Sequence, residues 1–193
     1  ELLQVFGRGG MGAVYRARER ATGQLVALKM LLHGLLLSAS DVQRFRNEIA
    51  TVTALDHPGI VPIHAVGEVQ GQLYYTMPLL EGGNLARTLA AGPLPPLAAA
   101  QLLVAIAEAV DFAHRRGVIH RDLKPANVLL DAHGAPQIAD FGLARHLAAA
   151  STDLTRSGEV LGTPNYMAPE QVVGQRRLVG PAVDIYALGA MLY

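Results

Sequence analysis

The sequence predicts an α+β fold, rich in strands toward its front and in helices toward its back. Two observations carry that expectation. Residues 2–77 hold short apolar or mixed runs divided by glycine turns, with one helical stretch among them. Beyond residue 83 the dominant pattern is a long run with apolar positions at helical spacing.

From Leu2 to Lys29 the order reads strand, glycine loop, strand, turn, strand. Ala13 to Arg18 is mixed apolar and polar, Thr22-Gly23 signals a turn, and Leu25 to Leu28 is a short apolar run. Ser40, with Gln43 three residues on, has capping-box spacing and predicts a helix start there. Val42, Phe45, Ile49 and Val52 follow at helical intervals, and His57-Pro58-Gly59 ends the run. Two further strands, 60–66 and 73–77, are expected to flank a Gln70-Gly71 turn. Glu81-Gly82-Gly83 reads as a linker and marks a boundary. A helix from about Leu97 to Arg116 sets Leu102, Ile106, Ala109 and Ala113 on one face and stops at Gly117. A hairpin of 128–130 and 137–139, turned at 131–134, is followed by a long polar loop. An apolar helix then runs from Pro181 to Tyr193.

Composition narrows the function classes. A chain of 193 residues has room for one good-sized domain or two small lobes. At 51% hydrophobic and 17% charged, it argues for a packed core and against disorder. Sixteen basic and sixteen acidic residues cancel, so net charge gives no pull toward nucleic acid or an anionic membrane. With no cysteine there is neither a disulfide framework nor a thiolate metal site, which fits the cytosol. No secretory pattern stands at the start. The most apolar stretch, Leu97 to Val110, is broken by Gln101 and Glu108 and reads as too short for a bilayer. Only two of the sixteen basic residues are lysines, Lys29 and Lys124. Arginine replaces lysine poorly where a compact ammonium must sit at one oxygen, so these two positions draw the eye to their surroundings.

Both lie in motifs. Gly7-Arg8-Gly9-Gly10-Met11-Gly12-Ala13-Val14 is a G-x-G-x-x-G-x-V whose glycines would let backbone N–H groups approach phosphate oxygens. The dinucleotide-binding fingerprint shares these glycines but needs a helix directly after the third, and here the continuation reads as a strand. Val26-Ala27-Leu28-Lys29 follows, placing a lysine on a strand where it could neutralise phosphate, with Glu48 on the capped helix as its acidic partner. Next come His120-Arg121-Asp122-Leu123-Lys124-Pro125-Ala126-Asn127, Asp140-Phe141-Gly142, Gly162-Thr163-Pro164 and Ala168-Pro169-Glu170. Asp184 lies in the last helix.

In this order and at these spacings the motifs resemble those of protein kinases, across nearly the whole chain, and lysine two residues after Asp122 is similar to the serine/threonine type. The resemblance implies a two-lobe fold: an N-lobe with a five-stranded antiparallel sheet plus one helix over residues 1–77, a hinge at 78–83, and a mainly helical, partial C-lobe over 84–193. It implies ATP and Mg²⁺ as cofactors. Asp122 would accept the incoming hydroxyl's proton, Lys124 would steady the transferring γ-phosphoryl, and Thr163 would brace both. Lys29 and Glu48 would pair, and Asn127 and Asp140 would hold metal. Phe6, Gly7, Arg8, Gly9, Gly10, Met11, Gly12, Val14, Ala27, Met77, Pro78, Leu80, Asn84 and Leu129 would surround the nucleotide. His120 would serve packing and hydrogen bonding, and Asp184 would pin the catalytic-loop backbone.

The wording Gly-Arg-Gly-Gly-Met-Gly, the run Leu55 to Val61 and Met167 to Gln171 are similar to bacterial receptor-type serine/threonine kinases. That implies protein acceptors bearing Ser or Thr, a kinase-domain homodimer for trans-autophosphorylation, and a cytoplasmic location, with membrane attachment only through segments absent from this chain. It also implies further helices beyond Tyr193. The competing expectation, from another class, is an inactive fragment or nucleotide-binding scaffold module. Thr155 and Ser157, eight and six residues before Thr163, are similar to the subgroup's paired autophosphorylation sites, and Arg121 would receive the phosphate. Phosphopeptide mapping after incubation with Mg-ATP should find phosphate on one or both, and an active preparation with both unmodified would contradict this.

Overall fold

The structure is a computed structural model and describes residues 1–9, 12–31, 39–141, 164–173 and 179–193. These fall into two units, one formed by residues 1–54 and 61–79 and the other by residues 55–60, 80–141, 164–173 and 179–193 as far as they are described.

The first unit is a five-stranded antiparallel sheet with one helix. Its strands are β1 (Leu2–Gly9), β2 (Gly12–Arg18), β3 (Leu25–Leu31), β4 (Ala65–Val69) and β5 (Gln72–Pro78), in the order β1-β2-β3-β5-β4. Helix α1 (Ala39–Thr53) lies between β3 and β4 in sequence. Three of its apolar positions, Phe45, Ile49 and Val52, are buried, as their spacing requires. On the sheet, Val26, Leu31, Leu73 and Tyr75 are buried too.

Three expectations for this unit need correction. The helix begins at Ala39, so Ser40 lies within its first turn rather than at the cap position. Gln43 is turned along the helix, where its Nε2 donates to Asn47 Oδ1 at 2.9 Å. Residues 60–64 are no part of a sheet strand, and β4 starts only at Ala65. Ile60 instead bridges to Ile138 in the second unit, and Ile138 N donates to Gly59 O at 2.8 Å. The Gln70-Gly71 turn forms as expected: both residues have positive φ, 52° and 76°, the twist that a two-residue hairpin between right-twisted strands demands.

The second unit is mainly helical. It contains α2 (Leu85–Leu89), α3 (Pro96–His114), the short hairpin β6 (Val128–Leu130) and β7 (Pro136–Ile138), α4 (Pro169–Val172) and α5 (Ala182–Leu192). Helix α3 buries Ile106, Ala109, Val110 and Ala113 and packs against both α5 and β7. At 19 residues it is longer than the stretch measured on the sequence, so by length and composition alone it could cross a membrane. Its buried face is what a core helix of this unit also requires. The last helix is apolar on every side, and Ile185, Tyr186 and Leu192 are exposed while Val183, Asp184 and Ala187 are buried.

The loop before α2 is locked onto the hairpin. Gly82 N donates to Leu130 O at 3.2 Å, and Leu130 N donates back to Gly83 O at 2.9 Å. A Cβ on Gly82 would stand 2.4 Å from Asp131 O and 2.6 Å from Leu130 O. Both obstacles are backbone atoms, so relief requires the hairpin to move. Gly82→Ala should therefore cost about 1–3 kcal/mol, the usual range for overpacking, read as a lower urea midpoint at unchanged slope. An unshifted midpoint would show that the loop and hairpin separate freely.

Candidate active site

The Arg121-to-Asn127 loop runs from the segment after α3 into β6. Asp122 carries a carboxylate whose Oδ2 accepts from Lys124 Nζ at 2.8 Å and from Asn127 Nδ2 at 3.3 Å. The same Asn127 nitrogen donates to the Asp122 carbonyl at 2.8 Å. Both acidic and basic partners are largely shielded, with 14% of the Asp122 and 20% of the Lys124 side chain exposed. The segment Pro125–Asn127 makes one 3-10 turn, which curls Asn127 back toward Asp122. A carboxylate, an ammonium and an amide thus converge within one hexapeptide.

The loop's backbone is held from behind by Asp184 on α5. That residue is 1% exposed, and its carboxylate accepts from His120 N and Arg121 N, each at 2.8 Å. His114, at the end of α3, adds its Nε2 to Asp184 Oδ2 at 2.7 Å. Arg121 sits at φ 64°, a conformation that costs a non-glycine residue of order 1–3 kcal/mol and survives only where its neighbours enforce it.

His120 is fully buried, and its ring bonds define its role. Asp122 N donates to Nδ1 at 3.2 Å, while Nε2 lies 2.9 Å from Ala139 O. A backbone N–H only donates and a carbonyl only accepts, so Nε2 carries the hydrogen and Nδ1 is bare. Both nitrogens are committed to backbone, which leaves neither for proton transfer. The ring also lies 4.9 Å from the Phe141 ring, tilted at 54° to it. Its bond to Ala139 O ties the Asp122 loop to the chain immediately before Asp140, itself at φ 63°.

Among the residues expected around the nucleotide, the first unit holds Phe6, Gly7, Arg8, Gly9, Gly12, Val14, Ala27, Lys29, Met77 and Pro78, together with Glu48 on α1. Cross-strand pairing sets Val14 opposite Lys29 and Ala27 opposite Met77, so these four share one face of the sheet. Lys29 is 9% exposed there. Phe6 is half exposed at a register shift in β1. The strand that follows Gly12 pairs antiparallel with β1, which removes the dinucleotide-fingerprint alternative and its required helix. The glycines of the motif differ in their cause. A Cβ at Gly12 would meet Met30 O at 2.2 Å, so close strand packing demands glycine there; at Gly7 it would meet nothing within 4 Å.

In the second unit lie Leu80, Asn84, Leu129, Asp122, Lys124, Asn127 and Asp140. Asn84 has a part the sequence did not disclose: its Oδ1 caps α2 by accepting from Arg87 N at 2.9 Å, while its backbone bridges to Leu129. Gly10, Met11, Thr163, Thr155 and Ser157 lie outside the described residues. His114 and Gln171 were missed. A histidine in the last turn of a helix normally signals only a favourable dipole position, and Gln171 carries no periodic signal. Its Nε2 nevertheless donates to Arg121 O at 2.8 Å.

Comparison with known proteins adds an independent finding. The protein kinase domain family matches residues 1–193. Over the whole chain the sequence is 46% identical to the DNA damage-responsive serine/threonine-protein kinase RqkA of Deinococcus radiodurans, covering 29% of that protein. It is 42% identical to the serine/threonine-protein kinase PknD of Mycobacterium tuberculosis and 38% identical to the serine/threonine-protein kinase PknB of Mycobacterium leprae, covering all of this chain and 28% and 31% of theirs. The chain thus spans less than a third of the length of each of these relatives.

The two hydrogen bonds from Asn127 to Asp122 yield a test that needs no activity. Asn127→Asp keeps the shape but replaces the donor with an acceptor facing two oxygens. It should lower the free energy of unfolding by about 2 kcal/mol, within the range for an unsatisfied buried polar group. Denaturation of the variant at the wild-type midpoint would contradict the geometry.

Proposed function

Because the chain belongs to the protein kinase family, we propose that it transfers the γ-phosphoryl group of ATP to serine and threonine hydroxyls of proteins, its own Thr155 and Ser157 among them. One observation carries the proposal: Asp122 holds its carboxylate against the Lys124 ammonium and the Asn127 amide, with the loop backbone beneath it fixed. Asp122 orients the acceptor hydroxyl and takes its proton, and Lys124 offsets charge on the transferring group. Lys29, oriented by Glu48, meets the α- and β-phosphates, and Thr163 braces Asp122 and Lys124. Gly7 has room for a phosphate to approach the backbone. Phe6, Val14, Ala27, Met77, Pro78, Leu80, Asn84 and Leu129 take the adenosine.

The residues fit a magnesium ion. Asn127 spends its amide nitrogen on Asp122, which leaves its carbonyl oxygen, and Asp140 adds a carboxylate. Two hard oxygen donors are what a phosphate-bound Mg²⁺ takes from a protein. When bound, the ion neutralises phosphate charge. In this reading residues 1–77 are the N-lobe, 78–83 the hinge and 84–193 the C-lobe portion. The domain works in the cytoplasm, where ATP and protein acceptors are found, and a second copy serves as partner in autophosphorylation.

Asp122→Asn in the full-length gene product should reduce transfer to a protein acceptor by roughly 10²–10⁴-fold, the contribution of a positioned base. ATP affinity should hardly change, because Asp122 meets the acceptor and not the nucleotide. Lys29→Arg should also be severe, since a planar fork replaces a point charge. Near-normal transfer by Asp122→Asn would remove the proposed role.

A further inference from the structure

The peptide that joins Arg121 to Asp122 is gripped at both of its polar ends by side chains. Its N–H, on Asp122, donates to His120 Nδ1 at 3.2 Å; its carbonyl, on Arg121, accepts from Gln171 Nε2 at 2.8 Å. The plane of this peptide sets the direction in which Asp122 leaves the backbone, and through it the direction of the carboxylate. Arg121 is in the left-handed region at φ 64°, a conformation that a non-glycine residue keeps only where its neighbours hold it.

Gln171 is itself fixed. Its Oε1 accepts from Ala168 N at 3.1 Å, across the first turn of α4. Ala168 offers no side-chain acceptor in return, so this is one half of a capping box. The half-bond consumes the oxygen and points the amide nitrogen at the Arg121 carbonyl. One planar amide therefore joins the start of α4 to the peptide before Asp122. Gln171 also borders, with Asp122, Lys124, Tyr166 and Val183, a small cavity behind the loop.

We propose that Gln171 is a positioning residue for phosphoryl transfer: its amide ties α4 to the Arg121 carbonyl and so sets the angle at which Asp122 presents its carboxylate. The inference rests on the kinase activity proposed above. Asp184 accepts from the Arg121 N–H, while Gln171 donates to the Arg121 carbonyl. The two bonds act on opposite sides of the strained residue, and only the second bears directly on the Asp122 peptide.

The test uses two variants of nearly equal length in the full-length gene product. Gln171→Glu keeps an acceptor for Ala168 N but sets a carboxylate oxygen against the Arg121 carbonyl oxygen. Gln171→Met removes both bonds without that repulsion. Steady-state transfer from Mg-ATP to a generic protein acceptor is measured, with rates normalised to nucleotide-binding sites so that unfolded protein does not count. For Gln171→Glu we expect kcat to fall about tenfold, a factor that one lost hydrogen bond to a positioned group supplies. The KM for ATP should stay within about twofold, because the disturbed carboxylate meets the acceptor. Gln171→Met should lose less, giving the order wild type, Met, Glu. A wild-type kcat in Gln171→Glu, or a loss that disappears on normalising to binding sites, overturns the positioning role alone. A wild-type protein that transfers no phosphoryl group overturns the proposed activity and the positioning role with it.

Discussion

Burying a carboxylate costs several kcal/mol unless its oxygens are bonded, and Asp184 meets that condition by taking the amides of His120 and Arg121 and the ring of His114. Each bond to the charged group is worth about 1.5–3 kcal/mol, enough together to hold Arg121 in a conformation it would otherwise leave. The arrangement runs in one direction. Helix α5 is pinned by Val183 and Ala187 in the core, Asp184 between them is carried into place, and the loop hangs from it. What Asp122, Lys124 and Asn127 can do chemically depends on that suspension.

From this anchor the polar network spreads to the second loop. His120 joins the Asp122 amide to the Ala139 carbonyl, and Ala139 N donates to Asn127 O at 2.9 Å. Arg121 and Asp140, the two non-glycine residues of this region at positive φ, stand on either side of that link. Strain of this kind gathers where side chains must be aimed rather than merely packed. Arg121 adjoins the carboxylate proposed to meet the acceptor hydroxyl, and Asp140 is itself proposed to meet the metal.

Much of this was legible in the sequence, unevenly and for physical reasons. Short apolar or mixed runs divided by glycine turns pointed to β2, β3 and β5, and helical spacing pointed to the buried faces of α1 and α3. The motifs resembling protein kinases named Asp122, Lys124 and Asn127, and the structure brings these three together. Ser40 misled because the same serine-to-glutamine spacing also occurs inside a helix, where Gln43 pairs with Asn47 instead. Ile60 to His64 misled because an apolar run looks the same in a strand as in a loop: Ile60 bridges to Ile138, and His64 N donates to Thr76 O just ahead of β4. His114 and Gln171 were illegible for a shared reason: each acts through a hydrogen bond to a group distant in sequence, the Asp184 carboxylate for His114 and the Arg121 carbonyl for Gln171. Such bonds depend on where two elements meet, which local spacing does not encode.

The claim on which all of this rests, that Asp184 holds the loop, is tested most directly by amide hydrogen exchange at His120 and Arg121 in the full-length protein, compared with Asp184→Asn. The isosteric amide keeps one acceptor oxygen and turns a donor toward the other N–H, so one of the two amides must lose its partner. The account predicts that one or both exchange at least about tenfold faster in the variant, as the loss of a charged acceptor implies, while the β4–β5 hairpin is unchanged. Equal protection of both amides in the two proteins would contradict it.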